Sequence, residues 1–112
     1  MKNVIELSPF ICLNDFEYMD NYSIGYHSHG AEGIEVDMLS IGYPVSDWCK
    51  NEERTFPIEK KKYTVGELMR AINKVVAEEI DKGHNYAPHS IEDYCIEHVY
   101  IIDGVAQVEF GS

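Results

Sequence analysis

The chain has 112 residues and carries 20 Asp plus Glu against 9 Lys plus Arg, a formal charge of −11. It is 45% hydrophobic and 12% aromatic, too apolar for an acidic disordered tail and of a length that fits one domain over residues 1–112. The charge argues against direct nucleic-acid binding through phosphates and against docking on anionic lipid, because both need a basic face.

Taken in chain order, Met1-Lys2-Asn3-Val4-Ile5-Glu6-Leu7 reaches Glu6 before an apolar stretch can act as a signal-peptide core. No later run approaches the roughly 18 to 20 apolar residues of a membrane span. Phe16 and Tyr18 flank Glu17 in a strand-like alternation that ends at Met19-Asp20-Asn21, which reads as a turn. Tyr22, Ile24 and Tyr26 alternate with Ser23, Gly25 and His27, a second strand pattern. Ile34-Glu35-Val36-Asp37-Met38 alternates cleanly; the pattern then resumes out of phase at Leu39, Ile41 and Tyr43, so a bulge is expected near Met38. Ser46–Lys62 is polar, charged and contains Pro57, and reads as a connecting loop.

A helix is expected over Val65–Lys82. Thr64 and Glu67 form an S/T-x-x-E capping box, and Tyr63 before the cap can staple onto Leu68. Val65, Leu68, Met69, Ile72, Val75, Val76 and Ile80 make one apolar stripe, and Gly83 supplies the stop. Lys74–Glu78 and Glu78–Lys82 have i,i+4 spacing on the polar face. After the loop at Tyr86–Ser90, Ser90 can cap a single turn over Ile91–Tyr94. Cys95–Ile102 and Val105–Phe110 flank Asp103-Gly104, a strong hairpin signal because a type I′ turn needs positive φ at both central residues. The predicted fold is α+β: an antiparallel sheet with one main helix packed on it and a C-terminal β-hairpin.

The charge is unevenly distributed. From Asn3 to Cys49 there are eight acids and no Lys or Arg, and from Gly83 to Ser112 there are five acids and again no Lys or Arg. Lys50–Lys82 holds eight basic residues against seven acids. The acidity therefore belongs to the two flanks.

Candidate chemistry is sparse. Cys12, Cys49 and Cys95 are odd in number and widely spaced, with no CxxC, and read as buried or half-buried thiols of a cytoplasmic protein. His27-x-His29 places two imidazoles on one side of a strand, where they can chelate a divalent metal such as zinc, with His84, His89 or His98 as a third ligand. His27-x-His29-x5-Glu35-x6-Gly42 resembles the first metal motif of the cupin family, which implies a metal on those residues. It departs from that motif in the His29-to-Glu35 spacing and at Asn21, where the family has glycine, and a long central helix suits that fold badly.

Asp93, Cys95 and His98 are the right types for a nucleophile and base, but strand alternation sends Cys95 and His98 to opposite faces. Glu52-Glu53 and Glu78-Glu79 read as solvated charge. No phosphate-binding loop, dinucleotide fingerprint or nucleophile elbow is present, so no catalytic residue and no cofactor are assigned.

Tyr18, Tyr22, Tyr26, Tyr43 and Trp48 are interleaved with the acids of the N-terminal flank, a composition suited to a basic partner. The reading this supports is a small acidic binding protein of inhibitor or immunity type, blocking a basic nuclease, toxin or defence protein by electrostatic complementarity. The partner-binding candidates are Asp15, Glu17, Tyr22, Tyr26, Glu32, Glu35 and Asp37. A metal-binding protein or enzyme using His27 and His29, and an accessory subunit of a phage or mobile-element assembly, are the alternatives.

Overall fold

The computed structural model describes residues 4–22, 33–50, 52–85 and 89–111. In chain order, strands β1 (Ile5–Leu7) and β2 (Ile11–Cys12) precede a short helix α1 (Phe16–Tyr22), strand β3 (Ile34–Ile41) and a 3₁₀ turn at Trp48–Lys50. Strand β4 (Arg54–Tyr63), helix α2 (Val65–Asp81), a 3₁₀ turn at Ile91–Asp93 and strands β5 (Cys95–Ile102) and β6 (Val105–Gly111) complete the domain. The strands form one sheet in the order β1-β5-β6-β3-β4, with β2 also paired to β5. Its pairings are antiparallel except that of β3 with β6, which is parallel.

The helix forms where the periodicity places it. The Thr64 hydroxyl accepts from the Glu67 N–H at 3.2 Å and the Glu67 carboxylate accepts from the Thr64 N–H at 3.0 Å, so the capping box is complete. At the other end Gly83 takes φ +87°, donating to the Ile80 carbonyl while His84 donates to the Glu79 carbonyl, both at 2.9 Å. This is a Schellman closure, and it folds the chain back so that His84 returns to the last turn of α2. Val65, Leu68, Met69, Ile72 and Val76 are buried in one core with Val36, Leu39, Ile41, Ile96, Val99 and Ile101 of the sheet. Each such side chain contributes on the order of 1.5–3 kcal/mol by leaving water.

The hairpin turn is built as its residues require, with φ +51° at Asp103 and +81° at Gly104. β3 has its irregularity between Val36 and Met38, which resolves the phase slip in the apolar pattern. Two expectations fail. The Phe16–Tyr22 segment is a helix: Asp15 caps it, accepting from the Tyr18 N–H at 3.3 Å, and Met19 is driven fully into the core. The Ser46–Lys62 segment is largely strand, because Pro57 lies on an edge strand, where a missing N–H and a run of lysines are tolerated and discourage further pairing. The 3₁₀ turn at Ile91 starts at Ser90, but with no side-chain cap bond from it. The strand pattern over Tyr22–Tyr26 lies outside the described residues apart from Tyr22, whose backbone ends α1.

No helix among the described residues is long and apolar enough to cross a membrane.

Candidate functional site

Strand parity decides where the charge goes. Arg54 opposes the core residue Ile41 and Lys61 opposes Val36, so both point to the helix side of the sheet. There Lys61 pairs with Glu67 of α2 at 3.1 Å, and Arg54 pairs with Glu79 at 2.5 Å. Glu79 also takes Lys82 at 3.1 Å and, through the Schellman turn, the His84 Nδ1 at 3.0 Å. Its side chain is only 5% exposed, so the reading of Glu78-Glu79 as solvated charge fails for Glu79. Burial works to raise its pKa; the bonds from His84, Lys82 and Arg54 outweigh this and hold it at about 2. The expected Glu78–Lys82 pairing is replaced by this i,i+3 bond of Lys82 to Glu79. On the helix side, then, Arg54, Lys61 and Lys82 are each met by a local carboxylate.

The other face of the sheet is different. Glu6, Tyr100, Gln107, Ser40 and Thr55 are successive register partners across β1, β5, β6, β3 and β4, so they form one row on the face away from α2. The adjacent row pairs His98 with Glu109. Phe10, 60% exposed, sets its ring edge-on to His98 at 5.2 Å, and His98 stacks over Tyr100 at 6.1 Å. Ser8 Oγ and His98 Nδ1 lie 3.0 Å apart, which fixes the imidazole. The Tyr100 phenol is pushed above its ordinary value by desolvation and by the negative charge of Glu109 and Glu6. An aromatic strip thus runs between carboxylates.

Next to it opens a cleft of about 300 Å³ lined by Gly42, Tyr43, Glu52, Glu53, Glu97, Val108, Glu109 and Phe110. Glu97 reaches it because the β5–β6 register shifts between Ile96 and His98. Glu53 is oriented by a 2.9 Å bond from the Ser40 hydroxyl. Among the described residues no Lys or Arg pairs with Glu52, Glu53, Glu97 or Glu109. Four carboxylates and a neighbouring aromatic strip can receive cationic side chains by ion pairing and by cation–π contact. Depressions of about 370 and 410 Å³ against α2 are larger, but they carry Lys74, and in one case Arg70, among their walls and lack this one-signed charge.

The residues singled out from sequence are dispersed. Asp15 and Glu17 lie at the start of α1, which packs on α2, and line a shallow depression with Tyr18 and Asn21. Glu35 is on the opposite face, across from Lys62 and 3.7 Å from the Lys60 ammonium, so its charge is partly compensated. Asp37 sits at the β3 irregularity; its N–H donates to the Gly104 carbonyl at 2.9 Å and its carboxylate lies against the hairpin turn. Asp15 and Glu17 are therefore not brought together with Glu35 and Asp37. Tyr26, His27, His29 and Glu32 lie outside the described residues, as does the side chain of Tyr22.

The three histidines considered as third ligands are far from sharing a site: His84 bonds Glu79, His89 sets its ring against Tyr94, and His98 meets Ser8. Among the described residues no three His, Cys, Asp or Glu side chains are grouped to hold a metal. Of the cupin-like spacing, Glu35 lies in β3 and Gly42 follows its end, while His27 and His29 lie outside the described residues.

The irregularity at Glu97 also corrects the reading of Cys95 and His98. Ile96 and Val99 both face the core, so the phase changes between them and Cys95 and His98 share the outer face. The Cys95 sulfur, however, faces Cys12 and not the imidazole. Phe10, Glu97, His98, Tyr100 and Glu109 were not singled out from sequence as a binding set. Their signal was available in the second acidic flank combined with the hairpin register that Asp103-Gly104 imposes.

Compared with known proteins, the chain matches no family model, no curated protein and no solved structure.

Proposed function

We propose that this chain is a small acidic binding protein of inhibitor or immunity type, which docks a basic protein partner and blocks it. The observation that carries the reading is the set Glu52, Glu53, Glu97 and Glu109, which no Lys or Arg pairs among the described residues, beside the Phe10–His98–Tyr100 strip. The carboxylates steer a cationic surface inward, and the aromatic rings supply contact area and cation–π attraction for its Arg and Lys side chains. If the partner is a nuclease, these carboxylates occupy the positions of the substrate's phosphates, and blockage follows from occupancy without chemistry.

The test begins with the immobilised protein and a lysate of its own cells, followed by purification of whatever protein it retains. The association rate of that protein should fall steeply as salt rises from about 0.01 M to 1 M, where the screening length shrinks from about 30 Å to 3 Å. Glu97→Lys with Glu109→Lys should slow association by about tenfold or more, while Asp15→Lys with Glu17→Lys, on the helix side, should leave it nearly unchanged. Stoichiometric addition should abolish the partner's own activity. Binding that survives 1 M salt, or a partner that works normally when bound, removes the reading.

A further inference from the structure

We infer that Cys12 and Cys95 form a thiol–disulfide site, which closes to an intramolecular disulfide when the protein meets a small-molecule disulfide oxidant. The two residues are direct register partners in the β2–β5 pairing. Opposed Cα atoms of an antiparallel pair lie roughly 4.5–5.5 Å apart, inside the range of about 4.4–6.8 Å that a disulfide spans, so closure needs no rearrangement of the strands. The sulfurs already face each other at 2.7 Å. Both residues are partly exposed, which leaves the oxidant a path to them.

The chemistry balances in two exchanges. The Cys12 thiolate attacks one sulfur of the oxidant R–S–S–R, forming Cys12–S–S–R and releasing RS⁻. Cys95 then gives up its proton to solvent, and its sulfur displaces the second RS⁻ from Cys12. Two electrons pass to the oxidant, which leaves as two thiols once each RS⁻ takes a proton, and the protein holds the Cys12–Cys95 bond. The Cys95 thiol is pushed up to about 11 by its hydrogen bond to Cys12, by burial and by the charge of Cys12 and Glu97. The exchange balances in the same way, and gives the same bond, whichever of the two sulfurs attacks first.

The bond would matter for the outer face. β2 is two residues long, so its backbone hold on β5 is short. Ser8 and Phe10, which fix and extend the aromatic strip, lie between β1 and β2, and the disulfide would fasten that segment to the strand that carries His98 and Tyr100. The inference stands on the β2–β5 geometry and is independent of the binding reading.

The experiment incubates the folded Cys49→Ser protein with glutathione disulfide, because Cys49, against the expectation of a buried or half-buried thiol, is exposed and would otherwise react on its own account. After acid quenching and alkylation, the expected product has lost both remaining thiols and about 2 Da of mass, and yields a peptide linking Cys12 to Cys95 that dithiothreitol releases. Closure should run at least about tenfold faster in the folded protein than in the same protein unfolded in urea, since only the fold brings the sulfurs together. The thermal midpoint should rise on oxidation. Wild-type protein, mapped in parallel, should show the same link beside a glutathione adduct confined to Cys49. Stable adducts on Cys12 or Cys95, dimers linked between molecules, two thiols still open to alkylation, or equal rates folded and unfolded would overturn the inference.

Discussion

Replacing Glu79 by Gln keeps the shape of the side chain and removes the charge on which Arg54, Lys82 and His84 converge. The displacement of its pKa from 4.5 to about 2 is equivalent to an upper bound of roughly 3 kcal/mol. Solvent reduces that figure, because the side chains of Arg54, Lys82 and His84 are 40%, 63% and 39% exposed. A cost of about 1–2 kcal/mol at pH 7 is expected, which lowers the melting temperature of a domain this size by roughly 5–10 °C. The pH dependence has a definite sign. The folded value lies below the unfolded one, so the stabilisation is complete above about pH 4.5 and is lost as pH falls toward 2. Urea unfolding followed by circular dichroism at pH 7, 4.5, 3 and 2 should show wild type and Glu79→Gln converging across that window. A difference at pH 7 below about 0.5 kcal/mol, or one that persists unchanged to pH 2, would refute the argument that this carboxylate ties β4 to the end of α2.

Two further predictions concern the frame that carries the acidic face. Gly104→Ala forces a Cβ onto a φ of +81° and brings it to 3.2 Å from the Asp37 carboxylate, so a loss of about 1–2 kcal/mol is expected in thermal unfolding. Asn73 is buried in α2, accepts from the Asn14 N–H at 2.5 Å and donates to the Asn14 side chain at 3.1 Å. Asn73→Leu should cost about 1–3 kcal/mol by leaving those groups unsatisfied, and hydrogen exchange should accelerate first in the segment around Asn14.

The local architecture is legible in the residues alone. The helix with its capping box and glycine stop, the Asp103-Gly104 hairpin and the slip near Met38 all rest on signals a few residues long, where backbone geometry and side-chain type decide together. The charge asymmetry was also legible, because it is a property of counting. Where those charges stand depends on long-range packing and strand pairing. Phe16–Tyr22 alternates like a strand over three residues, yet Asp15 caps it and the core takes Met19, so it is a helix. Arg54–Tyr63 looks like a loop, yet an edge position accepts Pro57 and the lysines, and register parity turns Arg54 and Lys61 toward carboxylates of α2. Cys12 and Cys95 are 83 residues apart and meet only through the β2–β5 pairing. One extra residue at Glu97 reverses the phase of β5 and moves Cys95 to the outer face with His98. Which face a side chain takes depends on register, and register is set by partners far away in the chain.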